Sequence, residues 1–129
     1  MEYAFLLGRI LLGGFFLNSA YNHFANADAM SSYAGSKRVP AARAAVLGTG
    51  LLLLTGGVRL ILGFRPVIGI AALILFLVPV TFWMHNFWKV SDPMLRMSEM
   101  INFSKNIAIL GGLLMLLMIP RPWPFALGS

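Results

Sequence analysis

The sequence predicts an all-α integral membrane protein, an antiparallel bundle of four spanning helices. Three observations lead there. Of the 129 residues, 59% are hydrophobic and 11% charged, against about half and about a quarter in soluble domains. A chain this short makes one domain and cannot hide that much apolar surface in a water-bounded core, so the excess faces lipid. The apolar residues also fall into four segments, about 4–23, 41–62, 66–88 and 101–119. Each is near the roughly 20 residues that cross a bilayer as a helix. None alternates polar and apolar residues as a barrel strand does. Helices then satisfy the backbones within hydrocarbon.

The first span carries Arg9 about a third of the way in and ends on Asn18, Ser19, Asn22 and His23. Asn18 and Asn22 are one turn apart. Ala25-Asn26-Ala27 looks like a leader cleavage site. Glu2, and the lack of Lys or Arg before Arg9, argue against a removed leader. Arg9 and Arg59 belong to one membrane face, where snorkelling to phosphates is expected; the alternative pairs Arg9 with Glu2 or a partner's acid.

In the connector 24–40, Asp28 is a candidate cap for a short interfacial helix over 29–34, stopped by Gly35. Lys37 and Arg38 would then lie at the headgroups. Pro40 suits the start of the second span. The turn Gly63-Phe64-Arg65-Pro66 is tight, which makes spans two and three antiparallel neighbours. Pro79 removes the hydrogen bond to the Leu75 carbonyl and predicts a kink in span three. Ser91-Asp92-Pro93 reads as a helix start, with Asp92 the cap and Pro93 the first residue. That helix enters the bilayer near Ile101. The Pro-rich tail 120–125 is not helical, and Trp123 is expected at the interface. The small pairs Ala4/Gly8, Ala44/Gly48 and Ala108/Gly112, with Gly13-Gly14, Gly56-Gly57 and Gly111-Gly112, read as helix-packing devices.

Four antiparallel spans bring one set of polar residues to one end of the bundle. It comprises Asn18, Asn22 and His23; Thr81 and His85; and Asn102, Lys105 and Asn106. Polar groups at membrane depth face the bundle interior or water. A polar pocket is therefore expected in this half, ringed by Phe82, Trp83, Phe87 and Trp88. The blander reading stays open beside it: Trp88 and Lys89 as interfacial anchors, Asn18 and Asn22 as interhelical glue.

The carboxylates Glu2, Asp28, Asp92 and Glu99 are all assigned to ends or connectors, so no span is expected to hold an acid. That argues against a carboxylate proton relay and against hydrolase acid–base pairs. His23 and His85 lack a third ligand, which argues against haem. Met94, Met97 and Met100 spread too widely round a helix to favour copper over a membrane-surface face. The net charge of +6 is dispersed over loops and helix ends. It suits anionic lipid and matches no nucleic-acid module. With no cysteine, thiol chemistry is excluded.

Several short patterns occur in order along the chain. They are Gly8-Arg9, His23-Phe24, Tyr33-Ala34, Val39-Pro40, Gly56-Gly57, Pro79-Val80-Thr81-Phe82, Met84-His85-Asn86-Phe87-Trp88, Asn102-Phe103 and Lys105-Asn106. Together they resemble the DoxX family of small four-helix membrane proteins. That resemblance implies a membrane subunit linked to quinol oxidation, although the chain shows no redox centre of its own.

Two functions follow as expectations. One is a redox-linked accessory subunit holding a quinone-like or amphiphilic ligand through His85, Lys105 and Asn106, between the aromatic walls Phe82 and Trp83. The other is an assembly or scaffold protein with a membrane-protein partner or a second copy of itself. The expected location is a cell membrane of the bacterial inner-membrane type. Both termini fall on one side, and the Lys/Arg bias turns the polar half to the cytoplasm.

Overall fold

The computed structural model describes residues 1–128, which form five α-helices, one 3-10 turn and no strand. The helices are α1 (Glu2–Ala25), α2 (Ala27–Ser36), α3 (Ala42–Leu62), α4 (Pro66–Met84) and α5 (Pro93–Leu116), with the 3-10 turn at Phe87–Lys89. Three stretches are long and apolar enough to cross a membrane: α1, α3 and Pro66–Lys89. α5 is as long as α1 but is not among them. Arg96 and Glu99 interrupt its first half and Lys105 lies at its middle, so its apolar run begins only at Ile107.

Neighbouring long helices run antiparallel. As α1 advances through Arg9, Gly13 and His23, its partners on α3 recede through Leu60, Gly57 and Val46. α4 doubles back on α3, with Leu73 against Gly56 and Gly69 against Arg59. α5 doubles back on α4 through Phe103 against Phe82 and Glu99 against His85. α1 and α3 approach most closely where Gly13 faces Gly57. A Cβ on Gly57 would lie 2.9 Å from the Gly13 carbonyl oxygen, so bare backbone on both sides sets the helix spacing. The small pairs named above divide accordingly. Gly13, Gly56 and Gly57 are packed, while Gly8, Gly14, Gly48, Gly111 and Gly112 face open space.

Phe16, Leu53, Leu60, Ile70, Leu73, Leu77 and Leu113 form the core together with Trp123. Outside it, Leu7, Leu11, Leu51, Leu75, Leu114 and Met115 lie exposed on the long helices, an apolar exterior suited to lipid.

Helix ends follow from local chemistry. Pro93 opens α5 and the Asp92 carboxylate accepts from the Leu95 N–H at 2.9 Å, as the sequence implied. α2 corrects its expected bounds: it starts at Ala27 behind Asn26. Asp28 lies inside its first turn and pairs with Arg43 instead of capping. A carboxylate there still favours the positive end of the helix dipole.

The end of α3 overturns two expectations. A helix leaves its last four carbonyls without helical donors, and here all four are met. The Arg59 carbonyl accepts from the Gly63 N–H at 2.8 Å, where Gly63 takes the left-handed φ of 67°. The Leu62 carbonyl accepts from the Leu127 N–H at 2.9 Å. The Leu60 and Ile61 carbonyls accept from Arg9 Nε and Nη2 at 3.0 and 2.8 Å. Arg9 is therefore buried and does not snorkel or pair with Glu2. Its guanidinium also binds the Pro124 and Phe125 carbonyls and stacks against Phe5 and Trp123. Trp123 is correspondingly 3% exposed and belongs to the core, not to the interface.

Candidate ligand-binding groove

The residues expected to share one pocket are dispersed. Asn18, Asn22, Lys105, Phe82 and Trp88 are exposed, while Thr81 and Asn106 are buried. Lys105 reaches back over the Phe15 ring on α1, its Nζ 5.5 Å from the centroid. Asn18 and Asn22 fall on the outer side of α1, because the inner side is claimed by Gly13, Phe16, Ala20 and His23. Helical spacing placed each set on one face without showing which face turned inward. Among the described residues, no three His, Asp or Glu side chains gather to hold a metal. Met94, Met97 and Met100 are all exposed.

His85 takes a different partner from the one expected. α4 stops at Met84, and the chain turns tightly through Asn86 (φ −81°, ψ 67°), whose neighbours close a Phe87 N–H to His85 carbonyl bond of 2.9 Å. These are the angles of an inverse γ-turn. The turn sets the imidazole on α5, with Nδ1 3.0 Å from Glu99 Oε2. Asn102 Nδ2 donates to the other carboxylate oxygen at 3.3 Å. Glu99 is 5% exposed. The expectation that every acid lies at an end or in a connector is therefore corrected. Glu99 stands in the second turn of α5, and tertiary packing buries it. Phe103 meets Phe82, Phe87 and Trp88 in edge contacts of 5.4–5.8 Å, which fasten the broken end of α4 onto α5.

The concave site lies beside this cluster. A groove of about 580 Å³ opens between α2, α3 and α4, a size that suits a small organic ligand. α2 roofs it with Ala29, Met30, Tyr33 and Ala34. α3 contributes Ala45, Val46 and Thr49. α4 supplies a long wall from Leu75 to Met84 that includes Phe76, Pro79, Val80 and Trp83, and α1 reaches it only through His23. Of the predicted ligand residues, His23 alone lines it. Trp83, predicted as an aromatic wall, does too. Pro79 lies inside α4 and has no N–H for the Leu75 carbonyl; both residues belong to the lining.

Polar contacts hold the roof in place. Trp83 Nε1 donates to the Lys37 carbonyl at 2.8 Å, and Lys37 Nζ donates to Asn86 Oδ1 at 3.0 Å. The same ammonium lies 5.8 Å from the Tyr33 ring. Burial first, and then the negative charge of Glu99, hold the Tyr33 phenol above its ordinary 10.0. Tyr33 thus belongs to the groove and also senses the Glu99 cluster.

Residue-by-residue reading missed Tyr33, Thr49 and Glu99. Thr49 had a usable signal, as one of only two hydroxyls in the uncharged body of span two. Glu99 had one as well, since a helix starting at Pro93 already includes it.

No curated protein and no solved structure matches the chain. The sequence model of the DoxX family matches residues 4–86, from the first turn of α1 to the γ-turn after α4, and takes in every element that lines the groove. With well over half its length matched, this apolar helical chain is a membrane protein and belongs to the DoxX family.

Proposed function

We propose that the protein is an accessory subunit of a redox system, binding a quinone-like amphiphile in the groove under α2. The observation that carries this reading is the groove itself. Its walls are aliphatic and aromatic, with polar groups on His23, Tyr33 and Thr49 and the Trp83 indole N–H committed to the Lys37 carbonyl. That composition accommodates a flat ring with a few hydrogen-bonding substituents and an apolar tail. In the same reading α5 completes a four-helix bundle as the fourth span, with its charged first turns at the membrane surface and α4 kinked at Pro79. Both termini lie on one side, and the α2 end faces the cytoplasm of a bacterial-type inner membrane. A C-terminal reporter active only in the cytoplasm would reverse that orientation.

The test is titration of the purified protein in lipid nanodiscs with a decyl-tailed benzoquinone and its hydroquinone, followed by quenching of tryptophan fluorescence. Saturable binding of either form is expected, and Ala45→Phe, which fills the groove, abolishes it. Binding that survives Ala45→Phe places the ligand elsewhere.

A second reading, a scaffold, draws on the glycines that face open space on α5, Gly111 and Gly112. Such a face allows close approach of another helix. Pull-down from mild detergent with a reproducible membrane partner, lost in Gly112→Leu, would favour it.

A further inference from the structure

We infer that His23 is the head-group receptor of the groove and that it selects a ligand bearing a hydroxyl, such as a phenol or the reduced form of a quinone. This rests on the groove reading above and narrows its ligand class.

The argument begins with the tautomer. His23 Nδ1 lies 2.9 Å from the Val46 carbonyl oxygen. A carbonyl only accepts, so Nδ1 carries the proton and donates. Thr49 Oγ1 lies 3.2 Å from the same nitrogen, and its own hydrogen is directed to the Ala45 carbonyl at 2.7 Å. Both neighbours therefore hold the proton on Nδ1. In the neutral ring that leaves Nε2 as a bare lone pair, an acceptor with nothing to donate.

The second step is access. The side chain belongs to a residue 8% exposed, and Nε2 has no hydrogen-bond partner among the described residues. It is not sealed in: Trp123 Nε1 is the only fully buried, unpartnered side-chain nitrogen or oxygen in this set. Nδ1 is committed to α3, so Nε2 is the ring nitrogen left for a ligand, and His23 is one of the groove's lining residues. An edge contact to Phe76, with centroids 5.7 Å apart, fixes the ring plane. A nearly buried acceptor held in one orientation is satisfied by an O–H or N–H. It gains nothing from an ether or quinone oxygen, which also only accepts.

The experiment uses 4-nonylphenol and its methyl ether, a pair in which a methyl group replaces the donor hydrogen. Both are titrated against the full-length protein in lipid nanodiscs, with empty nanodiscs correcting for partition. The phenol is expected to bind about tenfold more tightly than the ether. His23→Gln keeps an acceptor and retains the preference. His23→Phe keeps the ring edge toward Phe76 and loses the preference, lowering phenol affinity to that of the ether. The wild-type pair needs no variant to fold. Equal wild-type affinities would overturn the role of His23 and leave the groove standing. Saturable binding of neither compound, nor of the decyl quinone pair, would overturn the groove reading and this inference with it. A preference that persists in His23→Phe would move the acceptor to another group.

Discussion

Replacing Arg9 tests how the two ends of the chain are joined. In Arg9→Ala the Leu60 and Ile61 carbonyls at the end of α3 lose their donors, and the tail loses its anchors at Pro124 and Phe125. A charge-assisted bond nets about 1.5–3 kcal/mol, and the fourth contact, at 3.4 Å, is weak. The three stronger bonds share one guanidinium and are not additive, so about 4 kcal/mol is a reasonable total, similar to the cost of breaking a buried ion pair. Arg9→Lys keeps the charge but cannot span Leu60, Ile61 and Pro124 with one fork, so about half that loss is expected. The assay is reversible unfolding in mixed dodecylmaltoside and SDS micelles, followed by Trp123 emission. Trp123 packs on the guanidinium, so Arg9→Ala should red-shift emission before global unfolding. A loss under about 1 kcal/mol, or a lysine variant as stable as wild type, would refute this account of the α3 end.

Three further outcomes follow. His85→Ala leaves the buried Glu99 carboxyl without its imidazole partner and should cost about 3 kcal/mol, whereas Glu99→Gln keeps a hydrogen bond to the ring and should cost about 1 kcal/mol in the same micelle assay; the reverse order would mean that the imidazole is not what satisfies the buried carboxyl. Gly57→Ala drives a methyl into the Gly13 carbonyl and should cost about 1–3 kcal/mol, while Gly111→Ala, facing open space, should stay within about 0.5 kcal/mol; equal effects would remove the α1–α3 crossing from the account. The Tyr33 phenol is raised in the fold, so its contribution to stability is full below pH 10.0 and is lost as pH climbs through the folded value. The difference in ultraviolet titration between wild type and Tyr33→Phe should show one phenol ionising late. Glu99→Gln should bring it only part of the way back, because burial is the larger cause. A full return would make the carboxylate the main cause.

The readings that survived contact with the structure are those that depend on neighbours in sequence. Asp92 and Pro93 started their helix because capping is settled within four residues. The turn Gly63–Arg65 folded α4 onto α3 because it is too short to allow another course. Glu99 and Arg9 were misplaced because their partners are far away along the chain: His85 for one, and the tail carbonyls for the other. Asn18 and Asn22 were turned the wrong way because two faces of an apolar helix look alike when lipid can cover either.

Composition and segment length alone put this chain in a bilayer, since apolar surface adds up residue by residue and needs no partner to be counted. The groove arose otherwise. Its lining comes from four helices, and no one of them holds enough of it to be seen in isolation. Only the packing of α2 on α3, with α4 as the opposite wall, made it, and the Val46 carbonyl took one nitrogen of His23 and left the other unpaired. Apolarity is a local property of a side chain, whereas burial, concavity and a free lone pair depend on which surfaces meet.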